Sequence, residues 1–172
     1  MEKPIIAILM GSDSDYEVMR EAARVLKEFD VPFEMLVSSA HRSPQRTLEY
    51  AASARERGIR AFIVGAGAAA HLAGVVASKT TLPVIAVPID STSMKGLDAL
   101  LATVQMPGGI PVASMAIGKA GAKNAGLFAL QTLAATDADL AARLDAARVA
   151  MAEGVAEKSE RLQQRLSADG LA

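Results

Sequence analysis

No cysteine occurs in the 172 residues of this sequence. That absence excludes a disulfide framework, a thiolate nucleophile and a cysteine metal centre, and it suits a reducing compartment. Tryptophan is missing too, and aromatic residues make up 3% of the chain. A surface that stacks on nucleic-acid bases needs more. Neither sign of charge dominates: eighteen Lys and Arg oppose nineteen Asp and Glu, for a net charge of −1. There is no basic footprint for a nucleic acid or an anionic membrane. Nor is there an apolar run of the roughly 20 residues that a bilayer span takes. The uncharged stretch over residues 61–78 is broken by Gly65 and Gly67 and contains His71, so it reads as a buried strand followed by a buried helix. The first apolar run, residues 5–10, is too short for a secretory leader and is followed by Gly11-Ser12-Asp13. A cytoplasmic protein is expected.

What is present is an alternation of strand and helix patterns. Residues 5–10 are continuously apolar, as in a strand covered on both faces. A polar loop leads to a helix with apolar positions Met19, Ala22, Leu26 and Phe29, ended by Val31-Pro32. Residues 33–37 form a second strand. The helix opened by Pro44 is expected to turn Leu48 and Ala52 inward and Arg55, Glu56 and Arg57 outward, with Gly58 as its C-cap. Strands follow at 61–64, 83–88 and 111–117. Helices follow from residue 71 through Lys79, then at 96–103, at 120–135, and from 137 to about 167. Five alternations predict an α/β fold: one doubly wound domain, a parallel five-stranded sheet flanked by helices, with a long C-terminal helix. Residues 1–135 are read as the body of the domain and 136–172 as its helical extension.

Two patterns predict self-association. Between residues 61 and 119 the charged side chains are Lys79, Asp90, Lys95, Asp98 and Lys119, which leaves a surface too apolar to border water freely. The final helix carries Leu140, Leu144, Ala147, Met151, Val155, Leu162 and Leu166 on a three-four stripe. Residues 136–172 are therefore expected at a subunit interface, the alternative being that the stripe packs on its own domain.

The chemistry concentrates on Ser38-Ser39-Ala40-His41-Arg42-Ser43-Pro44, which holds one of the two histidines. Ser43-Pro44 is a helix start, read with the serine hydroxyl as N-cap. His41 and Arg42 therefore sit between a strand end and a helix N-terminus, where open α/β sheets bind anions. In a flavodoxin-like strand order the first three strands are neighbours and their following loops meet. The first loop offers Ser12, Asp13, Ser14 and Asp15, the second Ser39, His41 and Arg42, and the third the backbone of Gly65 and Gly67 with His71 beyond. Hydroxyls, free amides and a guanidinium suit a phosphate. A carboxylate such as Asp15 suits a ribose diol, and a histidine, with a reference pKa of about 6.5, suits proton transfer. The collection describes a ribonucleotide site with one acid-base group. Turn and N-cap duty is an equal reading for Ser12 and Asp15, and an idle surface or core position is an alternative for His71.

Other readings compete. Gly65-Ala66-Gly67-Ala68-Ala69-Ala70, with Asp90 ending the next strand, fits a dinucleotide fingerprint, but it opens the third strand instead of the first and leaves His41 and Arg42 unexplained. Asp13, Asp15 and Lys119 suit a phospho-acceptor domain, which also needs an aspartate at the end of strand three, and none is there. Histidine spacing supports no metal site, and no Gly-x-Ser-x-Gly elbow supports a triad.

Taken together and in order, Gly11-Ser12-Asp13-Ser14-Asp15, Ser39-Ala40-His41-Arg42-Ser43-Pro44, Gly65-Ala66-Gly67 through Ala70-His71-Leu72, and Gln105-Met106-Pro107-Gly108-Gly109-Ile110-Pro111 resemble the 5-(carboxyamino)imidazole ribonucleotide mutases of purine synthesis. The resemblance runs from about residue 5 to 150. It implies a flavodoxin-like domain, a homo-octamer, and neither metal nor cofactor. It assigns His41 as the catalytic histidine and Ser12, Asp15 and Arg42 as nucleotide contacts, with Ser14, Ser39 and His71 lining the pocket. Two positions depart from the common pattern: Ala68 stands where glycine is usual and Ala73 where proline is usual. The closest alternative is the related carboxylase that takes aminoimidazole ribonucleotide and free carbon dioxide. There the residue after the histidine is usually lysine, so Arg42 favours the mutase. A non-catalytic nucleotide-binding module is the alternative from another class.

Overall fold

The structure, a computed structural model, describes residues 3–172. Five strands form one sheet: β1 Ile6–Met10, β2 Phe33–Val37, β3 Ala61–Gly67, β4 Val84–Ile89 and β5 Ala113–Ser114. They are all parallel, in the order β2-β1-β3-β4-β5. The expected doubly wound, flavodoxin-like sheet is what forms. After β1 the chain steps to one side for β2 and to the other for β3, so a crevice opens outside the carboxyl ends of these central strands.

The helices are α1 Tyr16–Glu28, α2 Pro44–Arg57, α3 Leu72–Ala77, α4 Leu97–Val104, α5 Gly118–Ala134 and α6 Ala138–Ala168. On one sheet face Ala7, Leu9, Phe62, Val64, Val84 and Ala86 join Ala51 and Ala54 of α2 and Leu72, Ala73 and Val76 of α3 in one buried cluster. On the other face Ile6, Ile8, Ile63 and Ile85 are fully buried, as are Met19 and Leu26 of α1 and Ala125 and Leu130 of α5. Gly126 lets α5 approach Val25 and Ala22 of α1. This two-sided cover explains why the central strands read as unbroken apolar runs.

Three local expectations are corrected. The inward face of α2 is Thr47, Ala51 and Ala54, while Ala52 is exposed and Leu48 half-buried. The helix is rotated because Thr47, a polar residue, is satisfied inside: its hydroxyl lies 2.8 Å from Ser38 Oγ and donates to the Ser43 carbonyl at 3.2 Å. A hydrogen-bonded hydroxyl buries at little cost. Ser43 occupies the N-cap position but makes no side-chain cap. Its hydroxyl instead accepts from Ser39 N at 3.3 Å and donates to the Ser39 carbonyl at 3.1 Å, closing the loop on itself. Strand three does not stop at residue 64. It stays paired with β4 through Gly67↔Ile89, so the glycines belong to the sheet and no helix opens on them, which removes the dinucleotide reading.

Gly65 is there because α1 crosses it. A Cβ at that position would overlap Sδ of Met19. Gly65→Ala is expected to destabilise the fold by about 1–3 kcal/mol through overpacking, read as a lower urea midpoint with an unchanged slope.

Edge strand β2 is tied to α2 by a compact polar cluster. Tyr50 Oη donates to Glu34 Oε1 at 2.6 Å, Arg57 Nη1 reaches the same oxygen at 2.6 Å, and the guanidinium lies 4.1 Å over the Tyr50 ring. Burial and the adjacent Glu34 push the Tyr50 phenol well up. The cluster anchors the strand and helix that bracket residues 38–43.

The described residues up to Leu133 form one compact unit and Ala134–Ala172 another. In the second, α6 starts at Asp137, whose carboxylate accepts from Leu140 N at 3.0 Å. Val149, Met151, Val155 and Leu162 are exposed along it. Among the described residues no helix is long and apolar enough to cross a membrane.

Candidate active site

At the carboxyl end of the sheet lies a cavity of about 480 Å³, a size that suits a mononucleotide-class ligand. Ser12, Ser14 and Asp15 enter it from the loop after β1, and Ser39, His41 and Arg42 from the loop after β2. Six of the seven side chains singled out from the sequence thus line one space. The seventh, His71, is not among the lining residues but contacts one of them, with His71 Nδ1 2.9 Å from His41 Nε2.

The first loop is a single 3-10 turn, Asp13–Asp15, and its cap residues are the candidate ligands. Ser12 Oγ accepts from Ser14 N at 3.4 Å and from Ser14 Oγ at 2.9 Å, while Asp15 Oδ2 accepts from Ser12 N at 3.0 Å. The capping box and the cavity wall are therefore the same atoms. Residues that make the turn also line the cavity, so their polar groups are held in place by the turn's own hydrogen bonds.

Asp15 is 6% exposed. Burial pushes its carboxyl above the ordinary 3.8, against the lowering pull of the Ser12 and Gly11 amides. A raised carboxyl favours the protonated form in the fold. Its stabilising contribution is complete below pH 3.8 and is lost as pH rises through the folded value, so ionised Asp15 opposes folding at neutral pH. Asp15→Asn keeps an acceptor for Ser12 N and sheds that penalty. It is expected to be more stable than the wild type at pH 7, with the gain vanishing below pH 3.8 in urea titrations run across pH.

The second loop carries the cation. Arg42 N donates to Ser39 Oγ at 3.2 Å, and Arg42 Nη2 reaches back across the crevice to the Gly11 carbonyl at 3.3 Å. The guanidinium bridges the loops after β1 and β2 and leaves most of its donors facing open space, since Arg42 is exposed. That geometry suits a phosphate.

The third loop contributes differently from expectation. The backbone of Gly65 is used by the sheet, where its carbonyl accepts from Gly11 N at 3.1 Å. Gly67 lines the cavity together with Ala66, Ala69 and Leu72, giving an apolar wall opposite the polar loops. Ala68, in the position where glycine was noted as usual, adopts φ 51°, a left-handed conformation that favours glycine.

Ser91 also lines the cavity and was not anticipated. The available signal was its place directly after β4, whose carboxyl end borders the same crevice. Gly67 is tailored to it, because a Cβ there would overlap the Ser91 hydroxyl. Gln105 to Gly109 contribute nothing to the lining; Met106 of that loop packs near Gly74 of α3. Among the described residues no group of three His, Asp or Glu is placed to hold a metal ion.

The sequence matches the family model described as AIR carboxylase over residues 5–154. It is 55% identical over 160 residues to the N5-carboxyaminoimidazole ribonucleotide mutase of Bacillus subtilis, covering 93% of this chain and 99% of that one. It is 53% identical over 163 residues to the enzyme of the same name from Pyrococcus horikoshii, covering 95% of this chain and 91% of that one. The crystal structure of Treponema denticola PurE aligns with a TM-score of 0.80 at 29% identity, covering 92% of this chain and 98% of that chain.

Proposed function

The chain belongs to the AIR carboxylase family, and from that membership we infer that it catalyses the N5-carboxyaminoimidazole ribonucleotide mutase reaction of purine biosynthesis. It is an isomerase that moves a carboxylate from the exocyclic nitrogen of the aminoimidazole to the neighbouring ring carbon. The observation that carries this is 55% identity to a named mutase across 93% of the chain. Arg42, the residue after the candidate histidine, agrees with the mutase over the carboxylase that uses free carbon dioxide.

The residue roles follow from what the reaction demands. Arg42 and the hydroxyls of Ser12, Ser14 and Ser39 hold the phosphate, and Asp15 accepts from the ribose diol. Their shared cavity supports this assignment. His41 is the general acid and base. As the N–C bond breaks, protonated His41 delivers its proton to the exocyclic nitrogen, releasing carbon dioxide and aminoimidazole ribonucleotide. The ring carbon then attacks carbon dioxide, and neutral His41 removes the proton from that carbon. His41 ends protonated, ready for the next turnover. Between the two steps the carbon dioxide must stay beside the ring. The apolar wall of Ala66, Ala69 and Leu72 suits that retention, a proximity effect.

The protein works in the cytoplasm as a homo-octamer without metal or cofactor, with residues 136–172 at a subunit interface. Support for assembly comes from Leu97, Leu101 and Val104, exposed at helical spacing on α4, and from the exposed apolar residues of α6. A concentration-independent monomer in light scattering overturns the assembly.

Calorimetric titration separates the mutase from the non-catalytic reading when paired with an absorbance assay. Aminoimidazole ribonucleotide is expected to bind, NAD is not, and N5-carboxyaminoimidazole ribonucleotide is expected to be converted. Binding without conversion overturns the enzyme reading.

A further inference from the structure

His41 has one hydrogen-bond partner among the described residues, and it is the other histidine of the chain. Nε2 of His41 lies 2.9 Å from Nδ1 of His71, and the rings meet edge to face, with centroids 5.0 Å apart at 85°. His71 is held there by its own backbone. It precedes α3, its carbonyl accepts from Val75 N at 3.0 Å, and Leu72 and Ala73 beside it are buried. Thr103 Oγ1 donates to the Ala70 carbonyl at 3.4 Å. The contact spans 30 positions of sequence, so it is tertiary structure and not a local accident of one loop.

An acid-base imidazole is ordinarily oriented through its second nitrogen, and the hydrogen bond made there decides which nitrogen carries the proton. A carboxylate or carbonyl usually makes that bond. Here the partner is an imidazole, which in its neutral form offers one donor and one acceptor. When His41 is protonated, both of its nitrogens are donors. The contact then requires Nδ1 of His71 to be bare and to accept, with the His71 proton on Nε2. Two protonated rings would bring N–H against N–H and break the contact. When His41 gives up its added proton, the hydrogen on Nε2 is retained by its bond to His71. The proton that moves is the one on Nδ1.

We propose that His71 is a positioning residue: by accepting from Nε2 of His41 it fixes the ring and its tautomer, and so makes Nδ1 of His41 the atom that delivers and recovers the proton. This rests on the mutase reading above and goes beyond it, because it gives the second histidine a role exerted through His41.

The test compares wild type, His71→Leu and His71→Asn by kcat and KM in the mutase assay, with calorimetric binding of aminoimidazole ribonucleotide to each. Asparagine sets its amide oxygen about where Nδ1 of histidine sits, so it restores the acceptor, and leucine does not. Loss of the orienting bond is expected to lower kcat about 10–100-fold in His71→Leu, with KM and nucleotide affinity within about threefold. His71→Asn is expected to recover most of the lost kcat. An unchanged kcat in His71→Leu overturns the proposal. So does a loss carried by KM, or an asparagine variant as slow as the leucine one. A wild type that fails to convert the substrate overturns the mutase reading itself, so the two failures are distinguishable.

Discussion

His41→Asn is expected to lower kcat by about 10²–10⁴-fold, the usual worth of a positioned general acid-base, while nucleotide affinity stays within a few fold. His41 lines the cavity from the loop after β2, and its one hydrogen bond among the described residues goes to His71. Removing the imidazole takes away the proposed acid-base group and breaks no hydrogen bond of Arg42 or of the Ser12–Asp15 turn. Asparagine keeps the side chain polar and close to the size of the ring, so the loop keeps its shape. Steady-state turnover, with calorimetric affinity for aminoimidazole ribonucleotide on the same preparation, separates the two effects. Near-native kcat in a variant that binds normally would move the acid-base role to another group.

Arg42→Ala is expected to act on the other half of the energetics. A guanidinium hydrogen-bonded to an ionised phosphate is worth about 1.5–3 kcal/mol, so affinity should fall about 10–100-fold while kcat at saturation changes little. Part of that loss is structural. Arg42 Nη2 also donates to the Gly11 carbonyl at 3.3 Å, tying the first two loops together. Arg42→Lys therefore helps to divide the roles. It keeps the charge but loses the planar fork, and its affinity should lie between those of wild type and alanine. The loss is the electrostatic kind that salt screens, so raising ionic strength should narrow the gap between variants. A fall in kcat with unchanged affinity would reassign Arg42 to the chemical step.

How legible was this in the sequence? The central strands were, because a sheet covered on both faces forces continuous apolar runs, and Ile6–Met10 and Val84–Ile89 are buried throughout. The two polar loops were legible in part. Serines, aspartates, a histidine and an arginine cluster just past the ends of β1 and β2, where turn and capping duty was an equal reading for Ser12 and Asp15 and is also what they perform. The inward face of α2 was not legible, because Thr47 is buried by hydrogen bonds to Ser38 and Ser43, which hydrophobic periodicity does not register. The length of β3 was hidden by Gly65 and Gly67. Glycine reads as a loop until the register with β4 and the approach of Met19 are known. Strand five was over-read. Only Ala113–Ser114 pair with β4, although the run around them is apolar. The partnership of His71 with His41 is a product of tertiary structure that no local pattern announces, whereas Ser91 was signalled only by its place after β4.

The central claim is that one nucleotide sits among these loops while its carboxylate passes, as trapped carbon dioxide, from nitrogen to carbon beside His41. The most direct measurement supplies N5-carboxyaminoimidazole ribonucleotide with a ¹³C-labelled carboxylate in unlabelled bicarbonate and follows the label into product by mass spectrometry at early turnover. The account predicts product that keeps the label. Product carrying unlabelled carboxylate in proportion to the bicarbonate pool would mean that carbon dioxide escapes and returns from solution, and would contradict it.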